Sequence, residues 1–211
     1  KERGWDDTTL AGYLAHIEAL DEAIGTVMNT LDRLELDDNT IVVYTSDHGE
    51  MMLSHGRGGK RVPYEESIRI PFLLRWPGHI DAGQRIQAPF GTIDVVPTLL
   101  SLAGLAPSPN LDGYDFSATV TKGAKAPVSF QPIMHIQKSN ASHGDNHPSE
   151  IFRGVRTERY TYAVKEDGPW LLYDNKKDPY QLNNLIDSKK RVRKKLDSQM
   201  REWLSQYDDP F

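Results

Sequence analysis

Thr40-Ile41-Val42-Val43-Tyr44-Thr45-Ser46-Asp47-His48-Gly49-Glu50 is the stretch on which the fold turns. Its first six residues are all β-branched or aromatic. An apolar run of this length, bounded by turn formers, reads as a fully buried strand in a parallel arrangement. At its C-terminal end the chain sets a carboxylate, an imidazole and a glycine. Ligands of open α/β sheets gather outside the carboxyl ends of the strands, so this is where chemistry is expected. Downstream, His55-Gly56-Arg57-Gly58-Gly59-Lys60-Arg61 forms a flexible, cationic loop. It leads through Tyr64-Glu65-Glu66-Ser67 into a second strand predicted over Ile68 to Trp76. An anionic ligand with a metal ion between the two pieces is the reading these residue types support. Each piece alone is weak: an Asp after a strand equally forms an Asx turn, and Lys60 equally fits a mobile surface lysine.

Upstream, Leu14, Ile17, Leu20, Ile24, Val27, Leu31 and Leu34 recur every three or four residues, and Asp6 to Thr9 offer N-caps. This predicts a long amphipathic helix with one face on a core. Helix, turn at Asp37-Asp38-Asn39 and strand make one αβ unit of a doubly wound sheet. Asp94 to Gly104 reads as a short helix with Asp94 as N-cap, Pro97 in its first turn and Gly104 at C′. Residues 106–149 carry five prolines and read as a loop-rich connection. His135, His143 and His147 in it are pocket candidates or plain surface histidines, and Asn140-Ala141-Ser142 fits a glycosylation sequon. Phe152 to Arg156, Tyr160 to Val164 and Trp170 to Tyr173 are predicted as short antiparallel strands. A helix over Ser188 to Gln206 closes the chain, burying Val192, Leu196, Met200 and Trp203. Its run Lys189-Lys190-Arg191-Val192-Arg193-Lys194-Lys195 reads as a solvated face, with nucleic acid or an anionic surface as the alternative. The expected organisation is therefore 1–105 as the C-terminal part of an α/β domain, 106–150 as connection, and 151–211 as an antiparallel α+β subdomain.

The 211 residues carry a formal charge of −5, which argues against nucleic acid as the main partner. No apolar run is long enough to span a membrane. Cysteine is absent, which excludes disulfides and thiolate chemistry within these residues. The chain opens without methionine and meets a long helix at once, so a piece of a longer protein is expected.

Taken together, T-S-D-H-G-E, then G-G-K about ten residues on, then Y-E-E-S-I-R-I-P-F-L-L-R-W-P-G resemble the sulfatase family of the alkaline phosphatase superfamily. Y-L-A-H-I-E-A-L-D, I-D-V-V-P-T-L-L-S-L-A-G, R-G-V-R-T-E-R-Y-T-Y and L-Y-D-N-K-K-D-P-Y-Q-L-N-N-L agree in the same order. The resemblance runs from Tyr13 to Leu185 and matches the C-terminal half of a sulfatase. It implies hydrolysis of a sulfate ester, on a carbohydrate, through a formylglycine nucleophile that lies in the N-terminal half together with the remaining metal ligands. It implies that Asp47 and His48 are metal ligands and that Lys60 is catalytic, contacting sulfate and the leaving oxygen. His55 is expected to line the substrate site. The implied metal is divalent, Ca²⁺ by family habit, with Mn²⁺ or Zn²⁺ open because an imidazole is softer than the amide many sulfatases carry after the Asp. The Asp-His pair is similar to that of phosphonate monoester hydrolases, so phosphorus substrates stay open; a non-catalytic binding module is the third reading. The implied partners are a sulfated small molecule or carbohydrate and the N-terminal half of the same protein. The implied location is periplasmic or secreted, with the cytoplasm not excluded. The piece alone is expected to be inactive.

Overall fold

A computed structural model describes residues 7–137 and 150–211. The sequon at Asn140 and the two histidines His143 and His147 lie outside the described residues. The chain runs α1 (Asp7–Arg33), β1 (Val42–Thr45), α2 (Glu65–Ile68), β2 (Phe72–Arg75), α3 (Thr92–Leu102), α4 (Ser117–Lys122), β3 (Phe130–His135), β4 (Phe152–Thr157), β5 (Tyr160–Lys165), β6 (Gly168–Asp174) and α5 (Lys190–Ser205). This is the expected α/β portion followed by an antiparallel subdomain. The connection is less loop-like than its prolines imply, for α4 and β3 both fall in it. Pro132 is tolerated there because β3 is an edge strand, where a missing N–H breaks no inner ladder.

β1 corrects its prediction in two respects. It pairs antiparallel with β2, Val42 opposite Arg75 and Thr45 opposite Phe72, and not in parallel. It is also half uncovered, with Tyr44 and Thr45 exposed. An apolar run reports that a strand prefers burial; it carries no information on which neighbour supplies it. The same holds for α1. None of its residues is buried, and Leu14, Ile17, Leu20 and Val27 are about half exposed. The predicted core face exists as a stripe, but it is mostly uncovered, with only Ile24 and Leu31 half-buried. The turn after α1 is nonetheless tied to β2 and its exit: Arg75 donates to Asp37 at 2.8 Å, and the Trp76 indole donates to the Asp38 carbonyl.

β3 to β6 form one antiparallel sheet in sequence order. Alternation sends Val155, Tyr162, Val164 and Leu172 onto Leu196, Met200 and Leu204 of α5, forming a closed core. Val192 and Trp203, predicted to be buried, sit partly buried at its margin. The opposite face presents Phe152, Ala163, Leu171 and Tyr173, against which Tyr64 packs. One aromatic cluster ties β2 to the segment before α4, and one buried carboxylate joins the α/β portion to the sheet. Phe72 packs tilted on Phe90, with centroids 4.6 Å apart, and Phe90 meets Phe116 edge to face at 5.0 Å. Asp94 is fully buried and accepts from Gly91 N (2.9 Å), Tyr114 N (2.8 Å) and Gln131 Nε2 (2.5 Å). Burial pushes its carboxyl above the usual range, against the pull of these donors. Asp94 is therefore the third residue of α3 and reaches back to the N-cap Gly91; it is not itself the N-cap. Gly104, at φ +75°, supplies the left-handed exit expected of it.

Candidate active site

The end of β1 is folded back on itself by four hydrogen bonds. Thr45 Oγ1 donates to the Pro71 carbonyl at 2.9 Å, and Gly49 N donates to Ser67 O at 2.9 Å. Met51 N donates to Gly59 O at 2.8 Å, and Gly59 N returns a bond to Glu50 Oε1 at 2.6 Å. Gly49 is required by space alone, because a Cβ there would lie 1.9 Å from the Glu66 carbonyl oxygen. The strand end carrying Asp47 and His48 is thus laced to both the lysine loop and the start of α2.

Asp47 and His48 converge. The His48 backbone N–H donates to Asp47 Oδ1 at 2.9 Å, which is the main reason the Asp47 carboxyl sits below its ordinary range. His48 Nδ1 lies 2.8 Å from the Gly49 carbonyl oxygen. This contact is a hydrogen bond in the tautomer that carries its proton on Nδ1, and in that tautomer Nε2 is an acceptor. That Nε2 lies 3.3 Å from Asp47 Oδ2. In that tautomer the two atoms suit a cation held between them, and a carboxylate with an imidazole is a donor set that divalent ions accept. They are only part of a site. Among the described residues no group of three or more His, Asp or Glu side chains gathers on one metal position, while a calcium ion takes six to eight oxygens.

Lys60 is half-buried and, among the described residues, its ammonium has no hydrogen bond or ion pair. The loop that carries it is strained: Met52, Leu53, His55 and Arg61 all adopt positive φ, between 48° and 75°. Non-glycine residues held in that region cost about 1–3 kcal/mol each and persist where surrounding contacts over-determine them. Glu50 is such a contact, and the sequence reading gave it no role although it closes T-S-D-H-G-E. His55 is exposed and stacks flat on Tyr64, with centroids 4.1 Å apart. The structure therefore brings Asp47 and His48 together, ties the Lys60 loop to them, and places His55 on the Tyr64 side of that loop. His135 sits on β3 with its ring against Phe152; burial lowers its basicity.

A second polar group went unnoticed in the sequence. Glu65, nearly buried, takes both Arg156 Nε (3.0 Å) and Nη2 (2.8 Å). Glu65 N donates to Gln181 Oε1, Gln181 Nε2 donates to Asn175 Oδ1, and Asn175 Nδ2 donates to Thr161 Oγ1, all within 2.8–2.9 Å. The residues lie in Y-E-E-S, R-G-V-R-T-E-R-Y-T-Y and N-K-K-D-P-Y-Q, three separate motifs that this network unites. A cavity of about 290 Å³ lined by Tyr114, Gln131, Gln199 and Trp203 among others contains none of the predicted site residues.

Two family models match this chain. "Sulfatase" covers residues 1–105, and "N-sulphoglucosamine sulphohydrolase, C-terminal" covers residues 54–208. The chain belongs to the sulfatase family. It is 37% identical to an ulvan-active sulfatase of Formosa agariphila over 96% of its own length and 40% of that protein's. A solved structure in complex with its substrate D-glucosamine-2-N,6-O-disulfate superposes with a TM-score of 0.78 at 30% identity, covering 94% of this chain and 40% of that one. The phosphonate monoester hydrolase of Agrobacterium radiobacter superposes at 0.75 with 27% identity, over 90% and 40%. The chain thus spans about 40% of the length of the curated relatives it matches first, and corresponds to the C-terminal part of larger sulfatases. No described helix is long and apolar enough to cross a membrane.

Proposed function

We propose that this chain is the metal- and sulfate-contacting portion of an enzyme that hydrolyses sulfate esters on carbohydrates. The observation that carries the reading is the Asp47–His48 pair, a carboxylate oxygen and an imidazole nitrogen 3.3 Å apart, on a strand end hydrogen-bonded to the loop of Lys60, whose ammonium has no partner among the described residues. Asp47 Oδ2 and His48 Nε2 would hold a divalent ion, Ca²⁺ first, with Mn²⁺ or Zn²⁺ compatible with the imidazole. Such an ion, when bound, withdraws electron density from sulfate oxygens. Lys60 donates to a sulfate oxygen and to the oxygen that leaves, where negative charge grows as the S–O bond breaks. His55, exposed beside that loop, meets the sugar. The formylglycine nucleophile and the other ion ligands belong to an N-terminal portion. The uncovered stripe of α1 supports that partner, because a helix with this pattern needs an apolar cover. A sulfated polymer is met outside the cytoplasm, so a periplasmic or secreted enzyme goes with this reading. One observation favours a second substrate class: the phosphonate monoester hydrolase shares this fold, and His48 is compatible with it.

The test uses the full open reading frame expressed with a formylglycine-maturation enzyme. It compares 4-nitrophenyl sulfate with bis-4-nitrophenyl phosphate, with and without chelator. Sulfate cleavage should vanish with the chelator and in Asp47→Ala, and Lys60→Ala should lower kcat by roughly 10²–10³-fold, as loss of one charge-stabilising donor does. The 211-residue chain alone should show no hydrolysis above its own Lys60→Ala variant. Phosphodiester cleavage without sulfate cleavage would transfer the enzyme to the phosphonate hydrolase branch.

A further inference from the structure

The first half of α5 has a solvent face of one charge. Lys190, Arg191, Lys194 and Lys195 are exposed, as is Lys189 at the N-cap. At 3.6 residues per turn the four helical positions fall within an arc of about 140°, opposite Leu196, Met200 and Leu204, which face the sheet.

Local energetics oppose this arrangement. A helix N-terminus carries partial positive charge and favours acids, yet the first turn of α5 has none. Lys190 with Lys194 and Arg191 with Lys195 are like-charged neighbours at i,i+4. Among the described residues none of the five side chains has a hydrogen bond or an ion pair. The nearest acid within the helix, Asp197, is taken by Tyr162 at 2.9 Å and by Arg201 at 2.9 Å; Asp187 lies just before it in sequence. All this stands in a chain of net charge −5. A solvated face needs charge but not one sign, least of all at the end where the backbone repels it. An anionic ligand supplies the missing counter-charge.

We propose that this face of α5 is an exosite that holds the chain of a polysulfated polysaccharide, apart from the sulfate being cleaved. The polymer class rests on the sulfatase reading above; the anion-binding face does not. Single-stranded nucleic acid is disfavoured because its binders add aromatic platforms for the bases, and α5 has no aromatic residue before Trp203. A lipid surface is disfavoured because interfacial helices immerse their apolar face, and that of α5 is committed to the sheet.

The experiment uses the full-length enzyme and a variant with Lys189, Lys190, Arg191, Lys194 and Lys195 all changed to Gln. Binding to immobilised heparin, as the polysulfated probe, is measured over a salt series beside neutral dextran, a single-stranded polynucleotide and anionic vesicles. Wild type should bind heparin most tightly. In the Gln variant the slope of log K against log salt should shrink by about 3.5, from roughly 0.7 for each of the five lost contacts. KM for a polymeric substrate should rise at least tenfold, while kcat/KM on a monosaccharide sulfate stays within twofold. A variant with Arg at the four lysines should restore heparin binding, which separates charge from a folding defect. Co-elution of wild type and Gln variant overturns the exosite, and tighter binding to polynucleotide or vesicles overturns its polysaccharide assignment. Heparin binding through α5 in an enzyme that cleaves no sulfate ester would instead sink the sulfatase reading and leave the exosite standing.

Discussion

The sheet β3–β6 with α5 and the layer α1–β1–β2 draw on similarly apolar patterns but are covered very differently. In the sheet, seven residues of one cluster are at most 3% exposed, and the helix that covers them belongs to the same chain. In the layer, α1 buries nothing and β1–β2 is a two-stranded ribbon. Burying one large aliphatic or aromatic side chain contributes about 1.5–3 kcal/mol, so the first unit has its own source of stability and the second has little. An isolated two-stranded ribbon is at best marginally stable in water. The residues proposed for chemistry follow the opposite distribution: Asp47, His48 and Lys60 sit on the poorly covered side. The proposed site is thus mounted on the part of the chain that depends most on a cover, and the Glu65–Arg156 network is one link to the stable unit, beside Asp94–Gln131 and the packing of Tyr64 on the sheet.

The largest expected effect breaks that link. Removing one partner of a largely buried ion pair leaves the other charge without compensation, at a cost of about 3–5 kcal/mol. Arg156→Ala should therefore lower stability in urea by that amount, whereas replacing Arg156 by Met together with Glu65 by Gln should recover much of the loss. Hydrogen exchange should then quicken around Gly59 and Ser67 more than in β5. Equal quickening in both places would mean that the network does not connect two units of different stability.

The next effect sharpens the contrast inside the cores. Met200→Ala should cost about 2–5 kcal/mol, as deletion of a buried large side chain does. Leu20→Ala in the 211-residue chain should stay within about 0.5 kcal/mol, because Leu20 is half exposed. In the full-length protein the same Leu20→Ala should rise to the Met200 range. A Leu20 cost that is small in both would deny α1 the apolar cover argued for it.

What could be read from residues alone divides along the same line. The strands at 152, 160 and 168 and the terminal helix followed from local alternation and turn chemistry, because their partners are sequence neighbours. Asp47-His48 and Lys60 were weak signals one by one, and their ordered motifs singled them out only through the resemblance to a family. The orientation of β1 was not legible, because its 26-residue return to β2 leaves no local signature. The roles of Glu50 and Glu65 escaped for a related reason: each acts through a partner nine or more residues away. Asp94 was recognised as a helix-start residue but misplaced by three positions, since a Gly91 N-cap has no side chain to announce it.

The smallest effect compares one motif in two settings. Arg159 donates to both oxygens of Asp174, at 2.9 and 2.7 Å, and this holds the Asp174 carboxyl below its ordinary range. Arg75 does the same to Asp37 through one contact of 2.8 Å, with the Asp37 carboxyl likewise lowered. The Asp174 side chain is 6% exposed and that of Asp37 21%. A carboxyl whose folded pKa lies below its unfolded value of about 4 stabilises the fold above that pH. The contribution is lost as pH falls through the folded value, because protonation then ends the ion pair. Arg159→Met should therefore narrow the gap between neutral and acid stability, with the urea midpoint reduced at pH 6 and little changed at pH 2.5. Arg75→Met should do so far less, since water screens the more open pair and its layer contributes little to the cooperative unit. Equal pH-dependent losses in the two variants would show that the uncovered layer is as firmly folded as the sheet.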